Sequence, residues 1–145
     1  MKKPAYFLAT LTVIATLASA SAAVSAEPLT LACATKSPSS KDWVPKTVFI
    51  MIQPHTLRAA VLDECTVQVF EGGAMADLER PTPDRIKLNW KLIGVRNRQD
   101  RLQNVSFNMT INLKRQTFNY TGVGESSFVQ PGSAQGVCVP VKKKG

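Results

Sequence analysis

Residues 104–122, NVSFNMTINLKRQTFNYTG, constrain the fold more than any other stretch of the chain. If this stretch is extended, Val105, Phe107, Met109, Ile111 and Leu113 point one way. Asn104, Ser106, Asn108, Thr110 and Asn112 then point the other way. Side chains of a strand alternate between faces, so this strict alternation is the pattern of a half-buried strand. Phe118 and Tyr120 resume it in the opposite phase after Lys114, Arg115 and Gln116. The phase change predicts a turn at residues 114–116 and makes the whole stretch a hairpin.

The remainder of the chain follows the same rhythm. Residues 29–34 read as a first strand, and residues 35–46, with two prolines, three serines and Trp43, as a loop. Residues 48–52, VFIMI, are a continuous apolar run, the pattern of a strand buried on both faces or covered by a loop. Pro54 cannot donate to a ladder, so residues 53–56 read as a turn. Residues 57–62 return, Asp63 and Glu64 turn, and the alternation of Cys65, Val67 and Val69 predicts the next strand over 65–70. Residues 72–85 read as an irregular connection, with one or two helical turns over 74–80 stopped by Pro81. Ile86, Leu88, Trp90 and Leu92 then alternate with Lys87, Asn89 and Lys91. Residues 94–103 are a polar turn. Residues 122–135 are rich in Gly and Ser, with a short strand at Phe128 and Val129, and residues 137–141 close the chain.

Seven to nine short strands with almost no helix indicate an all-β sandwich or barrel. Sequential strands usually pair. The expected architecture is therefore an up-and-down antiparallel meander that curls until its first and last strands approach, which also hides the sheet edges.

The start of the chain reads as an export signal. Lys2 and Lys3 precede an apolar segment over residues 5–18, and Val24-Ser25-Ala26 fits small-x-small cleavage. The apolar run is shorter than the ~20 residues that span a bilayer. The expected organisation is a signal over 1–26, one β domain over 27–141 and a basic tail over 142–145. No transmembrane segment is expected after cleavage. The style of the signal is bacterial, which makes the destination the periplasm or the medium. Threonine and leucine ahead of Cys33 do not fit a lipoprotein box.

Export bears on the cysteines, because disulfides persist outside the cytosol. Cys33 lies in the first strand pattern, Cys138 in the last, and Cys65 begins an alternating run. Cys33–Cys138 is the expected pair, tying the chain ends together, with Cys65 a buried thiol; Cys33–Cys65 is the alternative. No two cysteines are close in sequence and His55 is the single histidine, a poor set for a metal.

Composition enters through charge. The chain has 18 Lys and Arg, of which Lys2 and Lys3 leave with the signal; the remaining 16 face 10 Asp and Glu, a net +6. Such a balance suits an anionic partner, an envelope polymer or an acidic protein. The candidate anion-binding residues are Lys87, Lys91, Arg96, Arg98, Arg101, Lys114 and Arg115, with Lys114 and Arg115 expected beside the 96–101 turn. Nucleic acid is not expected: Trp90 and Phe107 fall on apolar faces rather than interleaving with the cations, and export argues against it.

Catalytic patterns do not emerge. A nucleophile–base arrangement needs a poised histidine, and His55 follows Pro54 in a turn. The acids are scattered, mostly in loops, and Gly72-Gly73 is a plain turn rather than a phosphate loop. The reading is a non-enzymatic protein without a cofactor. The sequons at Asn104, Asn108 and Asn119 follow from Asn and Thr alternating on an outer strand face.

Cys33, the pair Ile111-Asn112 with Thr117, and Gly136-Val137-Cys138 together resemble a group of small secreted bacterial β proteins of unknown function. In size, β content and end cysteines the chain is also similar to the periplasmic C-type lysozyme inhibitors. That resemblance implies, as the alternative function, a protein-binding inhibitor of a secreted hydrolase. The chain departs from the inhibitors' Ser-Gly-x-x-Tyr loop, having Tyr120-Thr121-Gly122 and Gly124-Glu125-Ser126 instead. Lysozymes are themselves basic, so a +6 inhibitor would begin from repulsion.

Overall fold

A computed structural model describes residues 27–36, 43–97, 99–125 and 131–142. The proposed signal, Arg98, the short strand at Phe128 and Val129, and all but Lys142 of the basic tail lie outside the described residues.

Eight strands follow one another: β1 (Leu29–Thr35), β2 (Thr47–Ile52), β3 (Arg58–Asp63), β4 (Ala74–Thr82), β5 (Arg85–Arg96), β6 (Leu102–Asn112), β7 (Thr117–Gly124) and β8 (Gly132–Pro140). Each pairs antiparallel with its successor, and β8 pairs with β1, so the meander closes into a barrel. Closure leaves no sheet edge.

Alternation decides which side chains fill the barrel. Leu31, Val48, Ile50, Val61, Leu78, Ile86, Leu88, Leu92, Val105, Met109 and Ile111 all point inward and are buried. Each such side chain contributes about 1.5–3 kcal/mol relative to exposure. Trp90 stacks on Phe107 with ring centroids 5.2 Å apart, and Tyr120 meets both rings at 5.8 and 5.7 Å. Trp43, from the connection before β2, is also buried. Its fit requires a glycine at 122, where a Cβ would lie 2.9 Å from Trp43 Cβ and 3.0 Å from Phe107 Cε1.

The closing seam carries the disulfide. Cys33 faces Cys138 directly in the β1–β8 register, and the two are bonded with their Cα atoms 3.9 Å apart. The Cys138 N–H donates to Gln116 O on the β7 side, so it turns away from β1. The cysteines therefore occupy a non-hydrogen-bonded pair, the antiparallel position at which opposed residues come closest. Cys65 is buried and takes no part in this bond.

Three sequence expectations are corrected. The expected helical turns over 74–80 are instead the first part of β4, with Ala74, Ala76 and Leu78 inward and Met75, Asp77 and Glu79 outward. Tertiary pairing with β3 and β5 overrides the helix preference of Ala, Met, Leu and Glu. The strand expected over 65–70 is a 3₁₀ turn at Thr66–Gln68. Asp63 Oδ1 accepts the N–H groups of Cys65 and Thr66, each at 2.8 Å, and Thr66 Oγ1 accepts the Asp63 N–H at 2.8 Å. That carboxylate–hydroxyl exchange offers the backbone a local alternative to a ladder. Finally, the 48–52 run is buried on one face only: Phe49 and Met51 point outward and are 46% and 45% exposed.

The polar turn expected over 94–103 is narrower than the sequence implies. β5 runs on to Arg96 through a bulge at Gly94, whose φ of 76° suits glycine. Asn97 Oδ1 then accepts N–H groups from Gln99 and Arg101 and shapes the turn.

Candidate functional site

The β6–β7 hairpin tip is set by its own side chains. Asn112 Oδ1 accepts the Arg115 N–H at 2.9 Å, and Gln116 takes a left-handed φ of 54°. The Leu113 N–H donates to Asp84 O at 2.8 Å and ties the tip to the β4–β5 turn. Arg85 opens β5 directly opposite Asn112, and Asn112 stands opposite Thr117. Arg85 and Arg115 thus line one recess of about 290 Å³ together with Thr110, Asn112, Thr117, Phe118 and Asn119.

One row further along the strands, Lys87, Thr110, Asn119 and Gln135 stand level across β5, β6, β7 and β8. The Lys36 N–H donates to Gln135 O at 3.0 Å and adds the end of β1 to this row. A second recess of about 580 Å³ lies here, lined by Lys36, Asn119, Tyr120, Thr121, Ser133, Ala134 and Gln135. Asn119 belongs to both recesses, so they form one outer wall. Its surface is amides and hydroxyls, with Arg85, Arg115 and Lys36 around it. No carboxylate is among the described residues lining either recess. Two acids stand at the border: Asp84, which precedes Arg85 and whose carbonyl accepts the Leu113 N–H, and Glu79, opposite Lys87.

The sequence candidates divide accordingly. Arg115 lines the wall, Lys87 borders it, and Lys114 is exposed at its tip. Lys91 is bound to Glu125, whose other oxygen accepts from Asn104 Nδ2 at 2.8 Å. Those two hydrogen bonds, that of Lys91 first, hold the Glu125 carboxyl below its ordinary range. Arg96 pairs with Asp100 at 2.8 Å. Arg101 is exposed in the β5–β6 turn and Arg98 lies outside the described residues.

The expectation that Lys114 and Arg115 sit beside the 96–101 turn is corrected by the register. Arg96 pairs with Leu102 at one end of the β5–β6 ladder, and Arg85 with Asn112 at the other. The 11 residues of β6 separate the two turns by about 35 Å. Arg85, Lys36, Asn112, Asn119 and Gln135 are the additions made by the structure. The signal that could have found Asn112 and Asn119 is the Asn/Thr face of the hairpin; Lys36 and Gln135 join it only through barrel closure.

Elsewhere, Asp63 and Tyr120 are buried ionisable groups. Burial raises the Asp63 pKa against the lowering effect of its hydrogen bonds from Thr66 and Cys65. Burial, then the charges of Asp63 and Cys65, push the Tyr120 hydroxyl well above its usual value. His55 is exposed in the β2–β3 turn with φ 61°. Among the described residues no helix is long and apolar enough to cross a membrane.

Fold and wall together define a closed eight-stranded antiparallel meander barrel with a cation-flanked, amide-rich outer face. Comparisons with models of protein families, with curated proteins and with solved structures find no match.

Proposed function

We propose that the protein is an exported, non-enzymatic binding protein that takes an anionic, hydroxyl-rich component of the cell envelope on the wall of β5–β8. One observation carries this reading: amide and hydroxyl side chains lie between Arg85, Arg115 and Lys36 with no carboxylate among the described lining residues. A guanidinium presents a planar fork of donors that matches carboxylate, sulfate or phosphate oxygens. Asn, Gln, Ser and Thr both donate and accept, as sugar hydroxyls do. With no carboxylate among the described lining residues, the floor of the wall does not repel a bound anion; Asp84 and Glu79 stand at its border.

The wall is suited to holding a ligand rather than transforming it. Among the described lining residues there is neither a histidine nor a carboxyl group to exchange protons near neutral pH. Both recesses are open to solvent and their cations are exposed, so binding is moderate and sensitive to salt.

The test is an equilibrium titration with lipopolysaccharide and, in parallel, with a neutral glucan of similar length. At low salt the anionic polymer binds at least tenfold more tightly, and the double variant Arg85→Ala/Arg115→Ala loses most of that preference. Equal binding of the neutral polymer, or an unaffected double variant, would refute the reading.

A further inference from the structure

Away from the amide-rich wall, the outer surface around β2 and β3 is different: two of its rows are apolar. Val139, Ala32, Phe49 and Leu62 stand level in one row. Met51, Ala60 and Met75 stand level in the next. Phe49, Leu62, Met51, Met75 and Val139 are all substantially exposed. Contiguous apolar surface of this kind on a soluble barrel marks an interaction site. It is also where the uninterrupted apolar sequence of β2 exceeds what the barrel interior uses.

We infer that this face is the contact between two copies of the chain, related by a two-fold axis lying across β3 at the level of Val61. The face is complementary to itself. The outward positions of β3 and the turn after it are Arg58, Ala60, Leu62 and Glu64, in that order. A two-fold axis at Val61 runs the partner's β3 antiparallel over the first. It sets Leu62 of one copy over Ala60 of the other, a large side chain over a small one, on both sides of the axis. It sets Arg58 against Glu64 twice, at the two ends of the contact. On β2, where Phe49 is level with Leu62 and Met51 with Ala60, it sets Phe49 over Met51. Thioether–aromatic contacts of that kind are favourable.

The ends of the face are held in place for this. Glu64 Oε2 accepts the Lys46 N–H at 3.2 Å, which fixes the carboxylate beside the apolar rows. Arg58 stands opposite Asp77 on β4 and is exposed at the other end of the rows. A groove of about 310 Å³ lined by Thr47, Phe49, Leu62, Asp63, Glu64 and Val67 gives the partner's side chains somewhere to seat, with Glu64 at its edge for the partner's Arg58. Because the sheet closes after eight strands, the contact plane takes in β3 and its two neighbours, about 10 Å across, and six residues along β3, about 20 Å. The contact is therefore at the small end of protein interfaces, and the dimer is weak. Pairing through this side leaves the ligand wall facing outward on both copies.

Sedimentation equilibrium on protein purified after expression of the full chain tests the inference, with circular dichroism to verify the barrel in every variant. The wild type is expected to be a concentration-dependent dimer, and Met51→Lys to weaken it at least tenfold. Arg58→Glu and Glu64→Arg each weaken it, and the two together restore it, because each copy then presents the swapped pair to the other. A wild type that remains monomeric at about 1 mM would overturn the inference. So would a dimer indifferent to Met51→Lys, a double swap no better than either single, or a face that binds lipid vesicles as a monomer.

Discussion

Asn112 accepts the backbone N–H of Arg115 through its side-chain oxygen at 2.9 Å, so one residue both lines the outer wall and shapes the turn that carries Arg115. Asn112→Ala removes that acceptor and one amide of the surface. A single hydrogen bond of this kind is worth about 0.5–1.5 kcal/mol net. The variant should lose about that much in urea unfolding, and weaken anionic-polymer binding several-fold. Unchanged binding would show that the hairpin tip does not set the position of Arg115.

The cations of the other end should not matter. Lys91 is engaged by Glu125 and Arg96 by Asp100, and both lie toward the β5–β6 turn rather than the Arg85 end. Lys91→Ala and Arg96→Ala are expected to leave binding at pH 7 within a factor of two of wild type. The hydrogen bonds from Lys91 and Asn104 hold the Glu125 carboxyl below the ordinary glutamate range, so its pairing with Lys91 persists at neutral pH and is lost as pH falls through that lowered pKa. Titrations at pH 7 of these variants beside Arg85→Ala check the assignment; a tenfold loss at Lys91 would move the site.

Burial of Asp63 predicts a pH effect of defined sign. Its folded-state pKa is raised above the ordinary aspartate value of 3.8. Above 3.8 the unfolded chain releases this proton before the folded chain does. Asp63 therefore stabilises the fold most at low pH, and stability falls as pH rises from 3.8 through the raised value. Asp63→Asn keeps an oxygen for the Cys65 and Thr66 N–H groups and removes the titration. Urea midpoints of wild type should decline relative to the Asn variant across that window; parallel curves would contradict the assignment.

These residues also show what could be read from sequence. The 104–122 hairpin, the core role of Trp90 and Phe107, the meander and the Cys33–Cys138 pairing were all legible, because alternation reports which face is buried and closure brings chain ends together. Residues 65–70 were not, because Cys65, Val67 and Val69 alternate as a strand does while Asp63 and Thr66 bend the backbone locally. The amide-rich outer wall was only partly legible. Arg96 and Lys114 look adjacent in a list of cations, yet a whole strand separates their turns. Lys36 and Gln135 meet through the β1–β8 seam, and no local pattern announces a contact made by barrel closure.

That seam should be the stability-limiting element. The disulfide closes a sequence separation of 105 residues. In the loop-entropy model this is worth about 4–5 kcal/mol. Gly136, opposite Thr35 in the same seam, admits no side chain, since a Cβ would lie 2.0 Å from Ala34 O. The double variant Cys33→Ser/Cys138→Ser should lose several kcal/mol, and Gly136→Ala at least the 1–3 kcal/mol typical of overpacking, about the same order. Denaturant unfolding with and without reductant measures both; a fold indifferent to reductant would mean that β1 and β8 hold without their bond.

The central claim is that an anionic ligand lies on the β5–β8 wall. Backbone-amide NMR of ¹⁵N-labelled protein, titrated with an acidic oligosaccharide at low salt, tests it most directly. The account predicts perturbations concentrated at Arg85, Asn112, Arg115, Thr117, Asn119 and Gln135, reversed by added salt and absent with a neutral oligosaccharide of the same length. Perturbations centred instead on Lys91, Arg96 and Arg101, or on the apolar side around Phe49 and Met51, would contradict it.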